Sequence, residues 1–274
     1  MSAGLDATYL SHWNLADCPF STGFEPKGFY PSPVHEEALA RLHFLVDHRD
    51  RLGLLLGESG TGKSLLLRVF ADRLRRAGLP VAAVGLWGVE RDELMWLVAA
   101  RLGLNPERGL GTAALWQLVA DRLAEYRYQQ LQTVILLDDA DRAAGEILNS
   151  VMRLVKWDSS AESRLTVVLA CQDERIRRLG GDLLDLTELR IDLGCWDQGD
   201  TDKYIEVSLA QAGRAAAAFD PSALVRLHEL GGGIPRRVAH LADMALVAGA
   251  GQNLDRIDAG TIESVSQELG VNDE

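Results

Sequence analysis

Leu52-Gly53-Leu54-Leu55-Leu56-Gly57-Glu58-Ser59-Gly60-Thr61-Gly62-Lys63-Ser64 is the stretch whose reading decides the fold class. Its first five residues form an apolar run of strand length, and Lys63–Arg76 beyond it has the apolar spacing of an amphipathic helix. Between them stands the pattern G-x-x-x-x-G-K-[ST], in the strand-to-helix context that the pattern requires. Its glycines let backbone N–H groups turn inward around phosphates. Lys63 supplies a positive charge for the β and γ oxygens, and the Ser64 hydroxyl is a ligand for Mg²⁺. The set expected to bind Mg-ATP is therefore Gly57, Glu58, Ser59, Gly60, Thr61, Gly62, Lys63, Ser64 and Leu65.

A second nucleotide signature is Thr133-Val134-Ile135-Leu136-Leu137-Asp138-Asp139, a hydrophobic strand ending in two carboxylates. A buried strand of a parallel sheet delivers its last residues to the phosphate-facing edge. Asp138 is then the candidate that positions the Mg²⁺ shell, and Asp139 the candidate that polarises the attacking water. The alternative for the pair is a solvated cap on the next helix, and Asp141 is read as such a cap.

Outward from these motifs the chain divides near Gly194. Before it, strand-length runs at Leu52–Leu56, Val81–Leu86, Thr133–Leu137, Leu165–Cys171 and Leu189–Leu193 alternate with helical stretches at Lys63–Arg76, Arg91–Leu102, Thr112–Gln129 and Glu146–Val155, with Thr112 placed as an N-cap. This alternation predicts an α/β class, a parallel five-stranded sheet with helices on both faces. After Gly194 the strand signal vanishes. Helices are predicted at Asp200–Ala212, Pro221–Leu230, Pro235–Val247 and Ala259–Leu269, with Asp220 and Asp258 as caps. The expected organisation is an extended N-terminal linker over 1–33, a P-loop core over 34–194 and a small helical lid over 195–274.

The 274 residues, 47% of them hydrophobic, are enough to bury a sizeable core. A formal net charge of -12 disfavours nonspecific adhesion to nucleic acid or anionic lipid. Residues 1–194 carry 22 basic and 27 acidic side chains, and residues 195–274 carry 6 and 13, so both regions are acidic. Cys18, Cys171 and Cys195 are odd in number and far apart, as in a reduced cytoplasmic chain. Neither a secretory signal in Met1 to Thr8 nor a membrane span is visible. His35, His43 and His48 lack H-E-x-x-H spacing, and the arginines at 73, 75, 76, 175, 177 and 178 read as solvated helix faces.

The whole resembles the AAA+ ATPases of the ExeA (GspA-like) general secretion type and their transposition relatives of the TniB and TnsC type. Besides the two nucleotide motifs, the resemblance rests on Cys18-Pro19-Phe20, on Tyr30-Pro31-Ser32-Pro33-Val34-His35-Glu36-Glu37-Ala38-Leu39, and on Gly232-Gly233-Ile234-Pro235-Arg236-Arg237. It implies that Gln172 senses the γ-phosphate. Arg190 matches the arginine finger that reaches into a neighbouring subunit, and Arg236 the lid arginine that contacts nucleotide from the same chain. Surface ion pairing for Arg190 and a first-turn charge for Arg236 are the plain alternatives. Asp139 stands where the family has Glu, which withdraws the carboxylate by about 1.5 Å. The membrane span and exported wall-binding region of full-length secretion members have no counterpart here, an expectation against a direct secretion role.

What the resemblance implies is a homo-oligomeric ATPase whose cycle drives or regulates an unidentified protein partner. A slow nucleotide switch and a DNA-associated transposition regulator are the alternatives, the latter disfavoured by the net charge.

Overall fold

The computed structural model describes residues 9–20, 28–160 and 162–270. Parts of the expected N-terminal linker, 1–8 and 21–27, lie outside them, as does the stretch read for a secretory signal. The described chain forms two compact units, one of residues 35–59 and 63–193, the other of residues up to 34, 60–62 and 194 onward.

In the first unit five strands, β1 (Leu52–Leu56), β2 (Val81–Gly85), β3 (Thr133–Asp138), β4 (Leu165–Cys171) and β5 (Leu189–Asp192), pair in parallel in the order β2-β3-β4-β1-β5. All five residues of β1 and all seven of β4 are buried, as befits central strands covered on both faces. Strand alternation explains how. Leu52, Leu54, Leu56, Ile135, Leu137, Val167 and Leu169 join one core with α3 (Glu93–Arg101), α4 (Thr112–Tyr128) and α5 (Gly145–Val155). On the other face Gly53 lies against Leu45 of α1 (Pro33–Asp47), so close that an added Cβ would stand 2.6 Å from the Leu45 side chain. In α2 (Lys63–Arg76), the helix that follows the P-loop, Leu66, Leu67, Val69, Phe70, Ala71 and Leu74 are buried. Short α6 (Gly181–Asp185) precedes β5.

Several element ends differ from the sequence reading. Gly111, not Thr112, is the cap position of α4; Thr112 is already helical, and its hydroxyl donates to Asp92 Oδ1 at 2.5 Å. Asp141 caps no helix. It lies buried inside a 3₁₀ turn, Ala140–Arg142, and Ala144 occupies the cap position of α5.

The second unit holds α7 (Gln198–Gln211), α8 (Pro221–Gly231), α9 (Pro235–Gly251) and α10 (Ala259–Glu268). Asp197, Asp220 and Asp258 cap three of them, each accepting a backbone N–H three residues on. Capped by Asp197, α7 starts at Gln198, two residues before the predicted Asp200, whose own N–H is the capped group. The described N-terminal residues belong to this helical core and are not an extended tether. Trp13 is 1% exposed, its Nε1–H donates to the Leu246 carbonyl at 2.8 Å, and Phe20 packs with Tyr204 and Phe219. Trp196 donates through Nε1–H to Ser32 Oγ and through its N–H to the Gly233 carbonyl. Gly233 has φ 64°, and a Cβ there would meet the Trp196 carbonyl at 2.3 Å, so the turn before α9 demands glycine. No helix of the described residues is long and apolar enough to cross a membrane.

Candidate functional site

The register of the sheet brings the chemical residues to one edge. Leu56 pairs with Cys171 and Leu137 with Leu169, so β1, β4 and β3 end together, releasing the P-loop, Gln172 and Asp138-Asp139 at their carboxyl ends. Because β4 lies between β1 and β3, Gln172 leaves the sheet between the other two. Ligands of open parallel sheets bind at this edge.

Lys63, the first residue of α2, folds its ammonium back over its own loop, donating to the Gly57 carbonyl at 2.6 Å and the Glu58 carbonyl at 2.8 Å. Burial pulls its pKa below the ordinary lysine value, against the pull of Asp138, then Asp173 and Asp141, which favour the charged form. Gly60 and Gly62 have φ of 98° and 101°, backbone that only glycine adopts without strain. Gly57 is buried, Glu58 and Ser59 are exposed, Thr61 is fully buried, and Ser64 and Leu65 are half-buried. Within the helical unit the Arg236 N–H donates to the Gly60 carbonyl at 3.2 Å, while the residue itself is exposed; its neighbour Arg237 is exposed too.

At the end of β3, Asp138 Oδ1 accepts the Asp139 N–H at 3.0 Å. Asp139 has left-handed backbone, φ 54° and ψ 39°, a conformation uncommon outside glycine and tolerated best by Asp and Asn. Burial raises its carboxyl pKa, Asp138 raises it further, and Arg142 opposes both. Asp141, 1% exposed, accepts the Gln172 N–H at 3.3 Å and stands 3.8 Å from an Arg175 nitrogen. What read as a helix cap is thus a buried link between the ends of β3 and β4. Gln172 opens the 3₁₀ helix Asp173–Leu179. The Cys171 thiol is pushed up to about 12 by burial and by Asp141, so it carries no charge near Lys63 at neutral pH.

Arg190 is the second residue of β5, opposite Leu54, separated from the short helix α6 by residues 186–189. It is exposed, and its Nε donates to Asp192 Oδ1 at 2.9 Å. One acid at the same edge, Asp173, lies outside the motifs. Asp173 contributes to the field at Lys63, and its Oδ1 is buried with no hydrogen-bond partner; its place directly after Gln172 at a strand end was the available signal. Asp141 was seen but given a different task.

Residues 46–179 match the family model described as an AAA domain. This chain carries an AAA domain. It is 30% identical over 271 residues to the general secretion pathway protein A of Aeromonas hydrophila, an alignment spanning 97% of this chain and 49% of that protein. The chain thus spans about half the length of the curated relative it matches. Among solved structures, Cdc6p from Pyrobaculum aerophilum matches with a TM-score of 0.73 at 20% identity, over 93% of this chain and 72% of that one. The ORC2 protein of Aeropyrum pernix, solved in ADPNP–ADP complexes, matches with a TM-score of 0.67 at 18% identity, over 91% and 71%. Identities this low speak to the fold alone, which is that of an AAA+ P-loop NTPase with a helical C-terminal region. The AAA core therefore has the α/β architecture expected from its motifs.

Proposed function

We propose that this chain binds Mg-ATP at the carboxyl edge of its sheet and hydrolyses it, and that the cycle, run in a homo-oligomer, drives or regulates a partner assembly. One observation carries the reading: the P-loop lysine, beyond the end of β1, stands in the combined field of Asp138, Asp141 and Asp173, delivered from the ends of β3 and β4. An excess of acids around one cation fits a site that takes up a further hard cation together with a polyanion. Asp141 Oδ2 and Asp173 Oδ1, both buried without hydrogen bonds, point the same way.

In this reading Ser64 and Asp138 hold Mg²⁺, which when bound neutralises charge on the β and γ phosphates. Lys63 exchanges its two loop carbonyls for phosphate oxygens, and the backbone of Gly57–Ser64 lines the phosphates. Asp139 orients the attacking water. Gln172, positioned through its N–H by Asp141, faces the γ-phosphate, and Arg236 acts from the start of α9. The relative from Aeromonas hydrophila motivates a secretion-type partner assembly. Acidity of both sequence regions weighs against DNA as the partner.

Asp138→Asn is expected to weaken Mg²⁺-dependent binding or turnover far more than Asp141→Asn, since only Asp138 is assigned to the metal. Titration of each variant with a fluorescent ATP analogue, with and without Mg²⁺, checks it. Asp141→Asn should instead lower the melting temperature, because it alters a buried carboxylate that accepts a backbone N–H. Equal losses of Mg²⁺-dependent binding would remove Asp138 from the metal site.

A second reading, a switch that binds ATP and turns it over slowly, is favoured by Asp139 itself. A misplacement of about 1 Å can cost on the order of 10²-fold in rate. Asp139→Glu is therefore expected to raise steady-state phosphate release. A fall or no change would mean that the site has adapted to the shorter acid or that the base lies elsewhere.

A further inference from the structure

Arg142 belongs to none of the motifs, yet it touches both the end of the β3 signature and an exposed tryptophan. The 3₁₀ turn Ala140–Arg142 is the cause. Residues at i and i+3 eclipse one another in 3₁₀ geometry, and the Arg142 N–H donates to the Asp139 carbonyl at 3.0 Å. The turn so sets Arg142 over Asp139, with its Nε 3.7 Å from Asp139 Oδ1. That Nε is buried and makes no hydrogen bond.

On its other side the Arg142 guanidinium carbon stands 4.3 Å from the centroid of the Trp87 ring, well within cation–π range. Trp87 follows β2, whose exit is tied to that of β3 by the Leu86 N–H donating to the Asp138 carbonyl at 2.9 Å. Trp87 is 69% exposed, so burial in the core does not account for its position. Contact with Arg142 does.

We propose that Arg142, clamped by Trp87, is a positioning residue that holds the Asp139 carboxylate at the edge of the sheet; the proposal rests on the assignment of Asp139 to the attacking water. Three features converge. Asp139 has a short side chain on left-handed backbone, 38% exposed, and needs an external restraint to keep one orientation. A guanidinium at 3.7 Å attracts the carboxylate, and with no hydrogen bond between them it leaves the acceptor sites of both oxygens for water. The clamp on Trp87 limits the rotamers of a long side chain that would otherwise be free to swing into solvent.

Turnover and tryptophan emission together test this. Arg142→Gln and Trp87→Ala should each lower kcat by about 10- to 10²-fold, the scale of a small misplacement, with ATP affinity changed less than about two-fold. Trp87→Phe, which keeps an aromatic face, should recover most of the loss seen in Trp87→Ala. The double variant Trp87→Ala/Arg142→Gln should be no slower than Arg142→Gln alone, because the two act as one unit.

Emission of Trp87, taken as the difference between each chain and its Trp87→Phe counterpart, needs no turnover. Asp139→Asn should change it when Arg142 is present and leave it unchanged in the Arg142→Gln chain. Additive losses in the double variant, or Trp87 emission indifferent to Asp139→Asn, would overturn the proposal. A wild-type chain that releases no phosphate would defeat the hydrolysis reading by itself, and the emission measurement then decides the clamp alone.

Discussion

Lys63→Ala is expected to abolish ATP binding, lowering affinity by at least about 10²-fold while the chain stays folded. The triphosphate carries several negative charges into an edge already surrounded by Asp138, Asp141 and Asp173. Charge-assisted hydrogen bonds are roughly twice as strong as neutral ones, and the P-loop backbone N–H groups alone cannot offset that field. In the proposed site Lys63 is also the group that would exchange partners: its present acceptors, the Gly57 and Glu58 carbonyls, are neutral and belong to its own loop. Equilibrium titration with a fluorescent ATP analogue, paired with a thermal melt of the same sample, separates the outcomes. Unchanged affinity in a folded variant would remove the P-loop assignment.

Arg190→Ala is expected to keep ATP binding and lose turnover, by about 10³- to 10⁵-fold if it serves as an arginine finger, equivalent to about 4–7 kcal/mol of barrier. Its setting suits exchange. Arg190 lies on the edge strand β5, exposed, and forms an ion pair with exposed Asp192. Exposed pairs contribute about 0–1 kcal/mol, so a phosphate supplied by a neighbouring subunit competes for Arg190 easily. If it acts between subunits, activity per subunit rises with protein concentration. Mixing Arg190→Ala with Lys63→Ala chains restores part of the activity, because the Lys63→Ala subunit lends its Arg190 to the other's intact nucleotide site. Light scattering and phosphate release across a concentration series check both. Activity strictly proportional to concentration in a persistent monomer would end the arginine-finger assignment.

The sequence by itself determined where the two motifs stand on their strands and helices. Gly57–Ser64 follows β1 directly, and Asp138-Asp139 ends β3, so each motif is contiguous and its strand or helix context can be read from a dozen neighbouring residues. All five strands were legible for the same reason: short apolar runs interrupted by helical spacing are signals carried by adjacent side chains. The caps Asp220 and Asp258 act on N–H groups three residues away and were legible too.

Tertiary structure alone decided the contacts that join distant parts of the chain. The order β2-β3-β4-β1-β5 sets Gln172 between the P-loop strand and the Asp138 strand, and no local pattern encodes which strands are neighbours. Asp141, a plausible cap by position, became a buried acceptor for Gln172 because two 3₁₀ segments leave adjacent strand ends. Trp13, Phe20 and Trp196 drew the N-terminal residues into the helical core, since burying large aromatic surface outweighs the freedom of an extended linker. Trp87 and Arg142 met only once β2 and β3 paired, and a cation over a ring is a relation between surfaces that spacing along a chain does not record.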